Sequence, residues 1–223
     1  MKRILALILS VLMIATLASC SGSKETTADA QTTKAPETTT APETTDTTAP
    51  ETTEAPKSTV ALETIAKALA DKYAEYADLR TSFDDMMKDM DEADRIPYED
   101  FLASMLPTMP VEDFEYLSGL TEVPEGIKEA YLYQPGMMGQ AYIGYIFRLT
   151  EGTDVEAFKK SLTEKADLRW NICTMANTIV CENYGDTVFF SMMVVADAEN
   201  PSGFTAEQKD GFIKTFMDTV SAK

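Results

Sequence analysis

Three cysteines, thirteen methionines and no histidine set the chemistry open to this chain. The missing imidazole removes the commonest general base, the histidine-dependent triads and the usual zinc sites short of all-cysteine ones. After Cys20 only the thiols of Cys173 and Cys181 remain, too few to close a four-ligand structural zinc site. Eight residues apart at the start of an expected strand, they could bridge in an exported protein or pack as small hydrophobes. Methionine pairs at Met86–Met87, Met137–Met138 and Met192–Met193 offer soft thioethers of the kind copper takes. Neighbours in sequence point to different sides of a helix or strand, however, so packing is the simpler use. Asp84, Asp85, Asp89, Asp91, Glu92 and Asp94 form the densest carboxylate cluster. Calcium wants six to eight oxygens around a sharp, glycine-containing turn; this run has no glycine and a helical pattern, which reads as a solvated face. Arg169 and Trp170, in "ADLRWNIC", could line a ligand groove or plug the core. The run from Thr59 to Lys223 holds 30 acidic residues, enough to pair by chance, and none stands out as a glycosidase pair. Neither a phosphate-cradling glycine loop nor a nucleophile elbow occurs. No catalytic residue, cofactor site or metal ligand is therefore nameable.

The elements that would position these residues fall into two halves. Leu62, Ile65, Ala66, Leu69, Tyr73 and Tyr76 recur at three- and four-residue steps, the stripe of an amphipathic helix, with Ser58 or Thr59 as its cap. Phe83, Met86, Met87 and Met90 predict a second short helix, with Ser82 and Asp85 spaced as a capping box. Ile96-Pro97 breaks it, and Phe101, Leu102, Met105 and Leu106 suggest a third turn or two before Pro107 and Pro110. From residue 127 the pattern changes. "EAYLYQP" (129–135) and "QAYIGYIFRL" (140–149) predict a hairpin, and Thr153 with Glu156 a capping box opening a helix with Val155, Phe158 and Leu162 on one side. "NTIVCENYGDTVFFSMMVV" (177–195) predicts a second hairpin turning at Tyr-Gly-Asp, and Thr205 with Gln208 opens a last helix carrying Phe212, Ile213, Phe216 and Val220. The expectation is an α+β domain over 59–223: a helical part at 59–110, then strand–strand–helix twice at 127–221. Four antiparallel strands would carry two helices on one face.

The chain before this domain has its own grammar. Lys2 and Arg3 precede an apolar run from Ile4 to Ala18, interrupted only by Ser10 and Thr16. Fifteen residues span roughly 22 Å, short of the ~20 residues of a membrane-crossing helix, and the pattern is that of a secretory signal peptide. Leu17-Ala18-Ser19-Cys20 closely resembles the lipobox of bacterial lipoproteins. That resemblance implies a signal peptide over 1–19, lipid on the Cys20 thiol and cleavage just before it; the alternative is an ordinary signal peptide with an incidental cysteine. Acyl chains contribute about 0.8 kcal/mol per buried CH₂, and two or more anchor stably. Residues 21–58 hold 13 threonines, four prolines and no Val, Ile, Leu, Met, Phe, Tyr or Trp, with "APETT" recurring at 35–39, 41–45 and 49–53. Without large apolar side chains the entropy of ordering the backbone goes uncompensated. The expectation for 20–58 is a lipidated cysteine and a disordered spacer, its threonines possible glycosylation sites.

Charge bears on partners. Thr59 to Ala130 carries 18 acidic and six basic residues, net −12, whereas 131–223 carries 12 and eight, net −4. Such a field disfavours nucleic acid and anionic membrane surfaces and tolerates a basic partner. The run from "AYIGYIFRLTEGTDVEAFKKSL" to "YGDTVFFSMM" resembles an uncharacterised domain family found in small lipoproteins of Gram-positive anaerobes. The likeness covers roughly residues 127–221; it implies location and fold and transfers no site residue. The readings that follow are a membrane-anchored, extracytoplasmic lipoprotein acting as a non-catalytic binding or assembly module for an envelope protein partner, without cofactor. The alternative is a histidine-free ligand-binding protein or hydrolase using carboxylates near Trp170. On the lipobox reading, Cys20→Ala moves the protein from the detergent-rich to the aqueous phase on detergent partitioning. Retention of the whole population in the membrane fraction would refute it.

Overall fold

The computed structural model describes residues 56–136, 141–171 and 175–222. Cys20, the spacer before Pro56, Met137, Met138 and Cys173 lie outside them. Five helices and five strands form one α+β body.

Helix α1 (Leu62–Tyr76) buries Leu62, Ile65, Ala66, Leu69 and Tyr73, the expected stripe. Its N-cap is Ala61, which makes no side-chain capping bond; Ser58, a candidate cap, is engaged elsewhere. Asp78, in the left-handed region at φ 51°, turns the chain into α2 (Leu79–Lys88). The helix therefore begins a turn before the expected capping box. Ser82 lies inside it, its hydroxyl donating to the Asp78 carbonyl at 3.3 Å, and Asp85 pairs with Lys88. A short 3-10 turn (Glu92–Asp94) and α3 (Tyr98–Met105), which starts directly after Pro97, complete this part.

Strand β1 (Thr108–Pro110) was not expected. It pairs antiparallel with β2 (Ile127–Tyr133), Thr108 opposite Tyr133. Three residues show no alternation, and Pro110 lacks a ladder donor, which confines it to an edge. β3 (Tyr142–Leu149), α4 (Val155–Lys165), β4 (Thr178–Tyr184), β5 (Thr187–Met193) and α5 (Ala206–Val220) follow in the expected order. Asp154 caps α4 through the Ala157 N–H at 3.0 Å, one residue after the expected Thr153. The Thr205–Gln208 capping box on α5 is present in both directions, and the β4–β5 hairpin turns at Gly185-Asp186.

The sheet has five strands in the order β1-β2-β3-β5-β4, all antiparallel, not four. Its helices do not share one face. Tyr142, Ile146, Phe189 and Met193 pack against α1 and α5. Ile143, Tyr145, Phe147, Val188, Phe190 and Met192 meet Phe158 and Leu162 of α4 on the other side. The reason is legible in the central strands. Every residue of β5, and every residue of β3 except Arg148, is buried, and strands apolar on both faces need cover on both. Phe114, Leu117 and Leu120, from the connection before β2, extend the α4 layer.

Gly144 lies opposite Tyr133 in the ladder, and the Tyr133 ring covers it. A Cβ there would stand 2.3 Å from ring carbons. Gly144→Ala is expected to destabilise the domain by about 1–3 kcal/mol, the usual cost of overpacking, seen as a lower urea midpoint. Tyr133→Ala in the same chain should remove that increment in a double-mutant cycle.

Candidate functional site

Two regions carry polar chemistry that the hydrophobic layers do not explain. The first is the cap formed by α2, the 3-10 turn and α3 at the far end of α1. Phe83, Met87 and Phe101 make a small core of their own, with Leu79, Tyr98 and Met105 against it. The Arg80 guanidinium lies over the Tyr98 ring at 4.9 Å and donates through Nε to Asp84 at 3.2 Å. Arg95 Nε donates to the Met90 carbonyl at 3.3 Å, and Lys88 Nζ pairs with Asp85 at 2.5 Å. All three of the cap's cations are thus committed locally. Residues 78–100 hold nine acidic side chains against those three; Asp89, Asp91, Glu92, Asp94, Glu99 and Asp100 make no ion pair among the described residues. In this acidic field Met86, Met90 and Ile96 are 41%, 37% and 43% exposed.

The second region is where the chain joins the sheet, at the opposite end. Arg148, on the face covered by α1 and α5, is only 12% exposed. Its Nη1 donates to the Ser58 carbonyl and its Nη2 to the Val60 carbonyl, the latter at 2.6 Å, while Asp186 lies 3.9 Å away. Buried Ser58 donates its hydroxyl to the Val220 carbonyl at 2.7 Å and accepts from the Val60 N–H at 3.2 Å. Beside this strap lies an open depression of about 410 Å³ between Lys57, Lys128, the Thr150–Thr153 turn and Asp186. Two further shallow depressions, of about 400 and 420 Å³, share Val123-Pro124-Glu125 at the same end.

The sequence candidates are dispersed. Trp170 packs with the α4-side core beside Gly119, Ile143 and Met192, and its Nε1 is buried without a hydrogen-bond partner among the described residues. Arg169 is exposed, its N–H capped by Asp167 at 2.9 Å. The two do not converge on carboxylates. Met192 and Met193 enter opposite cores, and of Met86 and Met87 one is exposed and the other buried; Met137 and Met138 lie outside the described residues. Cys181 is a free thiol whose Sγ faces the Lys159 carbonyl at 3.8 Å, and burial pushes its pKa up to about 11. At neutral pH it is therefore held as the thiol, the weaker nucleophile; Cys173, the other member of the possible disulfide, lies outside the described residues. Among the described residues no group of three or more Asp, Glu or Cys side chains is placed to hold a metal ion, and no helix is long and apolar enough to cross a membrane. Sequence reasoning passed over Arg148 and read Ser58 only as a candidate helix cap and Gly185 only as a turn residue; the available signal was one arginine inside the apolar run "YIGYIFRL".

Compared with known proteins, the chain matches no family model, no curated protein and no solved structure.

The α1/α5 layer also holds a buried tyrosine network. Tyr133 and Tyr142 share a hydroxyl–hydroxyl hydrogen bond, and the Tyr73 ring meets Tyr142 edge-on at 4.7 Å. Burial raises Tyr73 to about 12 and pushes Tyr133 and Tyr142, and Tyr145 on the other face, further above the ordinary phenol value. The folded state keeps these protons after the unfolded chain begins to lose its own near pH ~10. Their contribution is fully present below that pH and is lost above it, by about 1.4 kcal/mol per pH unit for each group. A urea midpoint that is flat through neutral pH should therefore fall steeply above pH ~10, with these four tyrosines ionising only as the fold is lost. Their gradual titration in a still-folded protein would contradict it.

Proposed function

We propose that this chain is a membrane-tethered lipoprotein of the extracytoplasmic surface, a non-catalytic module that docks an envelope protein through its acidic cap. The observation that carries the reading is the exposure of Met86, Met90 and Ile96 within the unpaired carboxylates of the cap. Apolar side chains at a helix surface are common anchors for partners, and a surrounding field of one sign selects a partner of the other. Placement supports it. The spacer leaves the domain at Pro56, beside the Leu149 and Thr187 ends of β3 and β5. The cap stands beyond the Tyr133 end of β2, where α3 hands over to β1. A tether on Cys20 would leave the cap free to meet a basic surface. The lipobox and the lipoprotein-like run over 127–221 support the location. The alternative reading, a hydrolase or ligand-binding protein at Trp170, meets a half-buried tryptophan packed against the α4-side core.

A photoreactive residue at position 86 or 90, used in intact cells, should yield one discrete adduct. That adduct should weaken in about 0.5 M salt, where exposed charges are screened, and be missing when the probe stands at Lys160 on α4. Equal labelling from both places, or a small molecule carried by the intact protein in native mass spectrometry, would overturn the proposal.

A further inference from the structure

The hydrophobic core opens at Leu62, yet the molecule commits a largely sheltered arginine, a buried serine and a close backbone contact to the six residues upstream of it. We propose that Pro56–Ala61 is a strap that passes tension on the N-terminal spacer into the central strand β3, by-passing helix α1.

Four elements converge on the strap. From β3, the Arg148 fork grips two of its carbonyls, those of Ser58 and Val60. From the end of α5, the Val220 carbonyl takes the Ser58 hydroxyl. From the β4–β5 turn, Gly185 (φ 57°) lies so close that a Cβ would stand 1.6 Å from the Pro56 carbonyl oxygen. From the turn after β3, Glu151 meets Lys57 at 3.5 Å on the exposed rim. The inner contacts are sheltered from water, where hydrogen bonds to a charged donor are strongest.

The geometry decides where a pull is felt. Without the strap, tension would act on the first turn of α1, and a helix loaded at its end unravels one hydrogen bond at a time. With it, tension acts on Arg148, and β3 is laddered on both sides, to β2 from Ile127 to Tyr133 and to β5 from Thr187 to Met193. Shearing a strand flanked on both sides breaks its ladder bonds together. Only arginine offers a planar fork that holds two carbonyls at once; lysine keeps the charge beside Asp186 and loses the grip. The inference goes beyond the docking role and is independent of the partner; it requires only that the chain before Pro56 be held.

The test pulls the mature chain between its N-terminal residue and Lys223. The wild type should unfold in one step. Arg148→Ala should first release the strap and α1, residues 56–76, as about 70 Å of chain at ~3.3–3.6 Å per residue, and at a lower force. Leu162→Ala, in the α4-side core, should lower equilibrium stability without that early step. If Arg148→Ala does not fold, Arg148→Lys and Ser58→Ala are read in the same way. In these milder variants, hydrogen exchange at 59–61 should rise about tenfold while α1 stays protected. Early release of α1 in the wild type, or single-step unfolding of every strap variant, would overturn the proposal.

Discussion

Strands β3 and β5 bury side chains toward both faces of the sheet, and the remaining architecture answers that constraint. A sheet this apolar exposes two hydrophobic surfaces, and each must be removed from water. One is closed by α1 and α5, which meet over Tyr142, Ile146, Phe189 and Met193. The other is closed by α4 together with a connection that carries Phe114, Leu117 and Leu120. The helical part before the sheet is therefore integral to the fold: its first helix supplies half of one covering layer. The acidic cap, by contrast, rests chiefly on a small core of its own and lends the α1/α5 layer only the half-buried Leu79 and Leu102.

The two ends of the sheet are built differently. At the Tyr133 end the polar side chains of the cap point outward and its cations are spent on local partners. At the Leu149 end a single arginine is turned inward, onto the backbone of the chain where it arrives. The face beneath α1 and α5 would otherwise have a gap there, because α1 starts only at Leu62 and α5 stops at Val220. Ser58 and Arg148 fill it with hydrogen bonds to backbone carbonyls. That choice makes the gap directional, since carbonyls of a defined segment are gripped in place of an interchangeable apolar surface. The proposed docking at one end and the proposed attachment at the other draw on different elements.

The helix stripe over 62–76, the Thr205–Gln208 capping box, the Gly185-Asp186 turn and the order of strands and helices from 127 onward could all be read directly. Each rests on contacts within four residues along the chain, where periodicity and side-chain type decide the outcome. The same local rules erred by one residue at the α4 cap, where Asp154 displaced Thr153, and by a turn at α2, where a left-handed Asp78 started the helix early. Both errors are competitions between adjacent residues of similar propensity.

What the sequence did not decide lies in contacts between distant residues. The apolar runs "YIGYIFRL" and "TVFFSMM" were read as strands carrying both helices on one face; that α4 and α5 take opposite faces depends on how α4 crosses from β3 to β4. β1 exists only because β2 offers it an edge. Arg148 and Ser58 are 90 residues apart, and Ser58 and Val220 are 162 apart. Nothing in either neighbourhood marks them as partners. Residue type and spacing along the chain thus determined the elements, because those follow from local energetics. Which faces are covered, which residue holds the strap and which side chains remain exposed were decided only by packing, because each depends on elements that meet nowhere but in the folded state.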